Sequence, residues 1–129
     1  MYWKSQKFPI YTNCTYSYDS SYHLAHDVRI NLTGIWLCDD GGEYYIRQIQ
    51  NSPMVYWAGL SQRGVGDYFA NVFRGSLNSA GIITGKWTDV PYAQANSLGN
   101  LTLQLENNGS RLRAIQKSGG FGGSIWNKV

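Results

Sequence analysis

At 129 residues the chain has the length of one domain, with enough material for one buried core. Hydrophobic residues make up 43% and charged residues 15%, which excludes a disordered, highly charged tail. The net charge of +3 is small and the arginines are scattered, so no nucleic-acid partner is expected. Only Arg111 and Arg113 are close in sequence, and on a strand such a pair reads as a solvated face.

No stretch approaches the roughly 20 apolar residues that a membrane span needs, so no membrane partner is expected either. Residues 1–7 have no apolar run of signal-peptide type. The expectation is therefore a cytoplasmic protein or the mature form of a secreted one. Two cysteines, Cys14 and Cys38, leave two readings open. In an oxidising compartment a disulfide would tie the N-terminal segment to the first strand; otherwise both are buried thiols. Sequons stand at Asn13, Asn31, Asn100 and Asn108, and they matter only in a secreted eukaryotic protein. Ten Tyr, five Trp, four Phe and fifteen Gly suit strands and tight turns better than helices.

Residues 1–29 are polar and aromatic without a clean period, and they are read as an extended arm lying against the rest. From residue 30 onward the pattern changes to short runs separated by turn signals. Strands are predicted at 30–38, 43–50, 54–60, 68–77, 82–88, 98–106 and 111–117, with an eighth ending at Lys128. The turns between them are Asp39-Asp40-Gly41-Gly42, Asn51-Ser52-Pro53, residues 62–66, residues 78–81, a longer loop through 89–97, Asn107-Asn108-Gly109 and a Gly-rich stretch around Gly119-Gly120. Asn107-Asn108-Gly109 is a strong hairpin signal because Asn and Gly tolerate positive φ. Eight strands joined mostly by hairpin-length turns describe a meander, which removes its exposed edges by closing. The expected fold is an all-β, eight-stranded antiparallel up-and-down barrel over 30–129, preceded by the arm. A two-sheet sandwich would need longer crossing connections.

Leu101, Leu103 and Leu105 alternate with Thr102, Gln104 and Glu106, the pattern of a half-buried strand. Tyr44-Tyr45 and Tyr56-Trp57 instead place large groups on both faces. One member of each pair points inward, and the outward members need a cover. The arm or a second subunit related by two-fold symmetry can supply it, and a homo-oligomer is the favoured expectation.

Gly34-Ile35-Trp36 on the first strand, with Lys128 closing the last, resembles the Gly-x-Trp signature of the calycin superfamily, which includes lipocalins, fatty-acid-binding proteins and avidins. The ending Trp126-Asn127-Lys128-Val129 is similar to the tail of bacterial avidins. The resemblance covers residues 30–129 and implies that Trp36 packs at the closed end of the barrel beneath Lys128. It does not extend to the avidin ligand set. Cys38 stands where avidins carry a biotin-contacting Asn, and Ser124 where they carry an Asp, so biotin is not an expected ligand. A hydrogen-bonding site that loses its polar partners discriminates steeply against its old ligand.

The inventory for catalysis or metal binding is thin. His23 and His26 lack a third ligand, Asp39-Asp40-Gly41-Gly42-Glu43 is too short for an EF-hand loop, and the Gly119–Gly123 stretch lacks the Lys and helix of a phosphate loop. No cofactor and no metal are expected, and an enzyme (an isomerase on a calycin-type fold) is the weaker reading. The aromatics are the better lead. Tyr45, Tyr56, Trp57, Phe73 and Trp87, with Arg47, Asn71 and Asp89 as polar tips, are the candidates to line one cavity for a small apolar or amphipathic ligand. Two alternatives stand beside it: the barrel fills itself with these side chains, or surface Tyr and Trp serve a glycan- or protein-interaction domain.

Overall fold

A computed structural model describes residues 30–90 and 95–129; the arm at 1–29 and the middle of the long loop lie outside them. Eight antiparallel strands close into one barrel in sequence order. They are β1 (Gly34–Cys38), β2 (Glu43–Gln48), β3 (Met54–Leu60), β4 (Ala70–Leu77), β5 (Ile82–Asp89), β6 (Leu98–Glu106), β7 (Arg111–Lys117) and β8 (Ile125–Lys128). The seam is a pairing of β1 with β8, in which Trp36 lies opposite Lys128 and Cys38 opposite Trp126. The expected up-and-down barrel is the observed fold, with β3, β6 and β7 at their predicted bounds.

The departures are at strand ends. β1 begins at Gly34 instead of residue 30, because Leu32 turns into the core and the Leu32 N–H bonds the Gln48 side chain instead of a ladder partner. β4 begins at Ala70, because the Ser61 hydroxyl accepts the N–H groups of Tyr68 and Phe69 and holds that approach as a loop. The connection from β3 to β4 includes a tight turn, Ser61–Gly64, with Gln62 and Arg63 in the left-handed region at φ 52° and 54°. The turn from β6 to β7 has Asn107, Asn108 and Gly109 all at positive φ, as the Asn-Asn-Gly signal predicts.

Alternation along each strand sorts the interior into three levels. At the closed end, Leu32, Ile46, Val55, Leu77, Ile83, Leu103 and Leu112 pack with Trp36. Above them is an aromatic level: Trp57 stacks on Phe73 with ring centroids 4.4 Å apart, and Trp57 and Trp126 are 5.3 Å apart. Tyr44 meets Trp57 edge-on at 5.1 Å. Rings of this size fit only where neighbouring strands lack side chains. A Cβ on Gly85 would sit 2.7 Å from the Phe73 ring, and one on Gly59 would collide with Tyr44. The third level, at the other end, is polar: Asn71 and Asp89 point inward there and are 4% and 9% exposed.

Candidate functional site

The closed end is sealed by the residues of the Gly-x-Trp signature. Trp36 is fully buried, and its indole Nε1 donates to the Leu32 carbonyl at 2.8 Å. The Lys128 chain crosses over Gly34, whose φ of +148° disfavours other residues and where a Cβ would stand 3.1 Å from Lys128 Cε. The Lys128 ammonium then donates to the Asn31 carbonyl. Glycine, tryptophan and lysine thus form one plug.

The opposite end has a cavity in place of a plug among the described residues. A cavity of about 460 Å³ is bordered by Asp40, Phe69, Asn71, Trp87, Asp89, residues 95–97 and residues 120–122. Its polar groups are joined in series. Trp57 Nε1 donates to Asn71 Oδ1 at 2.8 Å, Asn71 Nδ2 reaches the Tyr44 hydroxyl at 3.5 Å, and that hydroxyl donates to Asp40 Oδ2 at 2.6 Å. Asp40 Oδ1 accepts the Gly42 N–H at 2.8 Å, which shapes the β1–β2 turn. Burial, together with the neighbouring Asp40 carboxylate, pushes the Tyr44 phenol well above its ordinary range. It therefore stays protonated and serves as a donor. Across the mouth, Asp89 Oδ2 accepts the Ser97 N–H at 2.9 Å.

Two loops form the rim and are tied together. The Ser97 hydroxyl donates to the Gly119 carbonyl at 2.7 Å, and Trp87 Nε1 donates to the Ser118 carbonyl at 3.1 Å. Phe121 folds inward from the second loop onto Trp87, centroids 4.9 Å apart, and is 7% exposed. Next to this floor the Trp126 Nε1 is buried without a hydrogen-bond acceptor among the described residues.

Of the eight ligand-lining candidates, Trp57, Asn71, Phe73, Trp87 and Asp89 face inward. Asn71, Trp87 and Asp89 border the cavity, while Trp57 and Phe73 lie in the aromatic packing beneath it. Tyr45, Arg47 and Tyr56 face outward and take no part in the mouth. Period-2 alternation forces this result once Tyr44 and Trp57 are the inward members of their pairs. Sequence reasoning missed Asp40, Tyr44, Phe69, Ser97 and Phe121. A lone Phe in the Gly-rich stretch 118–123 was the one signal available for Phe121. The stretch is held in place by Gly119 and Gly120, at φ 78° and 82°.

Asp39-Asp40-Gly41-Gly42 is a hairpin turn, with the Gly41 N–H bonded to the Cys38 carbonyl. Asp39 Oδ1 accepts the N–H groups of Ser124 (2.8 Å) and Ile125 (3.2 Å) and so fixes the start of β8. Burial raises the Asp39 pKa, but these two donors, together with the Cys38 thiol and the nearby Lys117 charge, hold the carboxyl below its ordinary value. Cys38 is a free, buried thiol, and burial pushes its pKa far up, which keeps it inert. Cys14, His23 and His26 lie outside the described residues.

The outer face carries the remaining candidates in register. Arg47 lies opposite Tyr56, Tyr56 opposite Arg74, Arg74 opposite Lys86, and Lys86 opposite Asn100. Beside this row runs a second, Tyr45, Ala58, Val72, Thr88 and Leu98, toward the mouth. Tyr45 and Tyr56 are each 40% exposed. The Tyr45 hydroxyl donates to Glu43 at 2.8 Å.

The closed eight-stranded meander, with a plug at one end and a cavity at the other among the described residues, has an architecture compatible with a calycin-like barrel. Comparison with protein-family models, with curated proteins and with solved structures finds no match.

Proposed function

We propose that the protein is a non-catalytic binding module that holds a small amphipathic molecule in the barrel mouth. The apolar part of that molecule rests against Phe69, Trp87 and Phe121, and its hydrogen-bond-donating end meets Asp40, Asn71 and Asp89. The observation that carries this proposal is that two carboxyl groups, Asp40 and Asp89, and two carboxamides, Asn71 and Asn96, border a single aromatic-walled cavity. A volume of about 460 Å³ suits a small molecule. Asp40 and Asp89 retain acceptor capacity after their internal bonds, since a carboxylate accepts about four hydrogen bonds. The mouth therefore favours an amine, amidine or amide over a carboxylate. Binding fits better than catalysis because burial holds the nearest thiol, Cys38, protonated, and Tyr44 and Gly42 orient Asp40 as a fixed acceptor.

Native mass spectrometry of the purified chain reads any retained molecule directly. A thermal-shift titration then compares tryptamine with indole-3-acetate, which share a ring and differ in the sign of charge. Tryptamine is expected to raise the melting temperature, and indole-3-acetate is expected not to. Combining Asp40→Asn with Asp89→Asn removes the tryptamine effect. Biotin leaves the melting temperature unchanged, since Cys38 and Ser124 stand at the avidin anchor positions. Equal shifts from both indoles, or no retained mass and no shift, would remove the mouth as a ligand site.

A further inference from the structure

The outer face of β2 to β6 has a chemistry unrelated to the mouth. Neighbouring strands lie about 4.8 Å apart, so the row from Arg47 through Tyr56 and Arg74 to Lys86 crosses about 14 Å of surface. All four side chains are exposed. Among the described residues the one ion pair is Arg113 with Glu106, on a different part of the barrel. Arg47 and Arg74 have no carboxylate partner there, and Lys86 donates to Asn100 Oδ1 at 3.2 Å. The row borders a groove of about 610 Å³, whose outward lining includes Tyr56, Val72, Arg74, Lys86 and Leu98. On its far side, toward the closed end, Ser76, Thr84 and Thr102 follow one another in register and form a strip of hydroxyls.

Three bands therefore lie in parallel across the strands: apolar, cationic with one aromatic ring, and hydroxyl. We infer that this face binds an acidic polysaccharide of the uronate type, laid across the strands. Arginine forks match the carboxylates, the Tyr56 ring offers a flat apolar surface to a sugar face, and the hydroxyl strip meets the sugar hydroxyls. A single-stranded nucleic acid would need successive stacking platforms, and the cation row offers one ring. A second copy of this chain fits poorly. A two-fold contact centred on Tyr45 and Tyr56 sets the cation row against its own copy with no acid between them.

Isothermal titration of the purified chain with a polygalacturonate oligosaccharide tests the assignment, with dextran as the neutral polymer and an oligothymidylate as the nucleic acid. Polygalacturonate is expected to bind, with affinity falling as salt rises, and dextran is expected not to bind. Replacing Arg47, Arg74 and Lys86 together by Gln weakens binding by roughly tenfold or more. Tyr56→Ala weakens it by a smaller factor. Arg111→Gln with Arg113→Gln removes two charges elsewhere and leaves the affinity unchanged. An unchanged melting temperature for each variant establishes that the barrel is intact. Three results would overturn the inference. They are equal losses from the two sets of charge variants, tighter binding of oligothymidylate through the same row, and a dimer by light scattering that the triple variant disrupts.

Discussion

The two ends of the barrel are built from the same strands, yet they solve opposite problems. At the closed end, seven aliphatic side chains and Trp36 leave no polar demand except the Trp36 indole, which a backbone carbonyl satisfies. At the cavity end, polar groups point into the interior and are satisfied by one another, in a series running from Trp57 through Asn71 and Tyr44 to Asp40. Apolar packing is non-directional and tolerates only complete filling. A polar series is directional, and it leaves acceptor capacity unused where the cavity opens. The closed end is therefore built for stability, and the mouth is where the proposed ligand would meet unused acceptors.

The contrast sharpens under substitution. Trp36→Ala removes the largest side chain of the plug and is expected to cost about 3–5 kcal/mol in urea unfolding. It should leave the acceptors of the mouth in place, so a variant that still folds keeps its tryptamine response. If Trp36→Ala costs less than the mouth substitutions, the assignment of roles to the two ends is reversed. Asn71→Leu is close in volume but strands the Trp57 indole, which costs about 1–3 kcal/mol for a buried donor without a partner. Its larger effect should be on ligand binding, and urea midpoints measured beside thermal shifts separate the two.

The smallest effect is at the seam. Burial raises the Asp39 pKa, but the Ser124 and Ile125 N–H groups, with the Cys38 thiol and Lys117, hold it below the ordinary 3.8. A lowered folded-state pKa means that its contribution is fully present above the ordinary carboxyl range. That contribution is lost as pH falls through the lower folded value. The stability gap between the wild type and Asp39→Asn should therefore shrink on acidification. A gap that stays constant down to strongly acidic pH would show that charge at Asp39 plays no part in fixing β8.

Strand number, connectivity and most strand bounds were legible because turn chemistry is local. Asn107-Asn108-Gly109 adopts positive φ whatever surrounds it, and Leu101, Leu103 and Leu105 alternate wherever the strand lies. The plug was legible only through the resemblance to the Gly-x-Trp signature: Gly34 and Trp36 lie on one strand of the seam and Lys128 on the other, and closure of the barrel brings them together. The mouth was half legible. Asn71, Trp87 and Asp89 were candidates from their residue types, whereas Asp40 belonged to a turn and Phe121 to a Gly-rich loop. Nothing in either segment says that its side chain turns inward.

What the chain determined by itself was the period: which residues alternate, where the turns fall, and that one member of each pair, Tyr44-Tyr45 and Tyr56-Trp57, had to face out. A period of two fixes the sorting into faces but leaves open which face is inside. Only closure of the barrel decided that Tyr44 and Trp57 point inward and that Tyr45 and Tyr56 point outward. Register, a property of pairs of strands, gathered Arg47, Arg74 and Lys86 from three separate runs into one row on that outer face. Charges that are 12 to 39 positions apart in the sequence have no common neighbourhood until hydrogen bonding between strands gives them one.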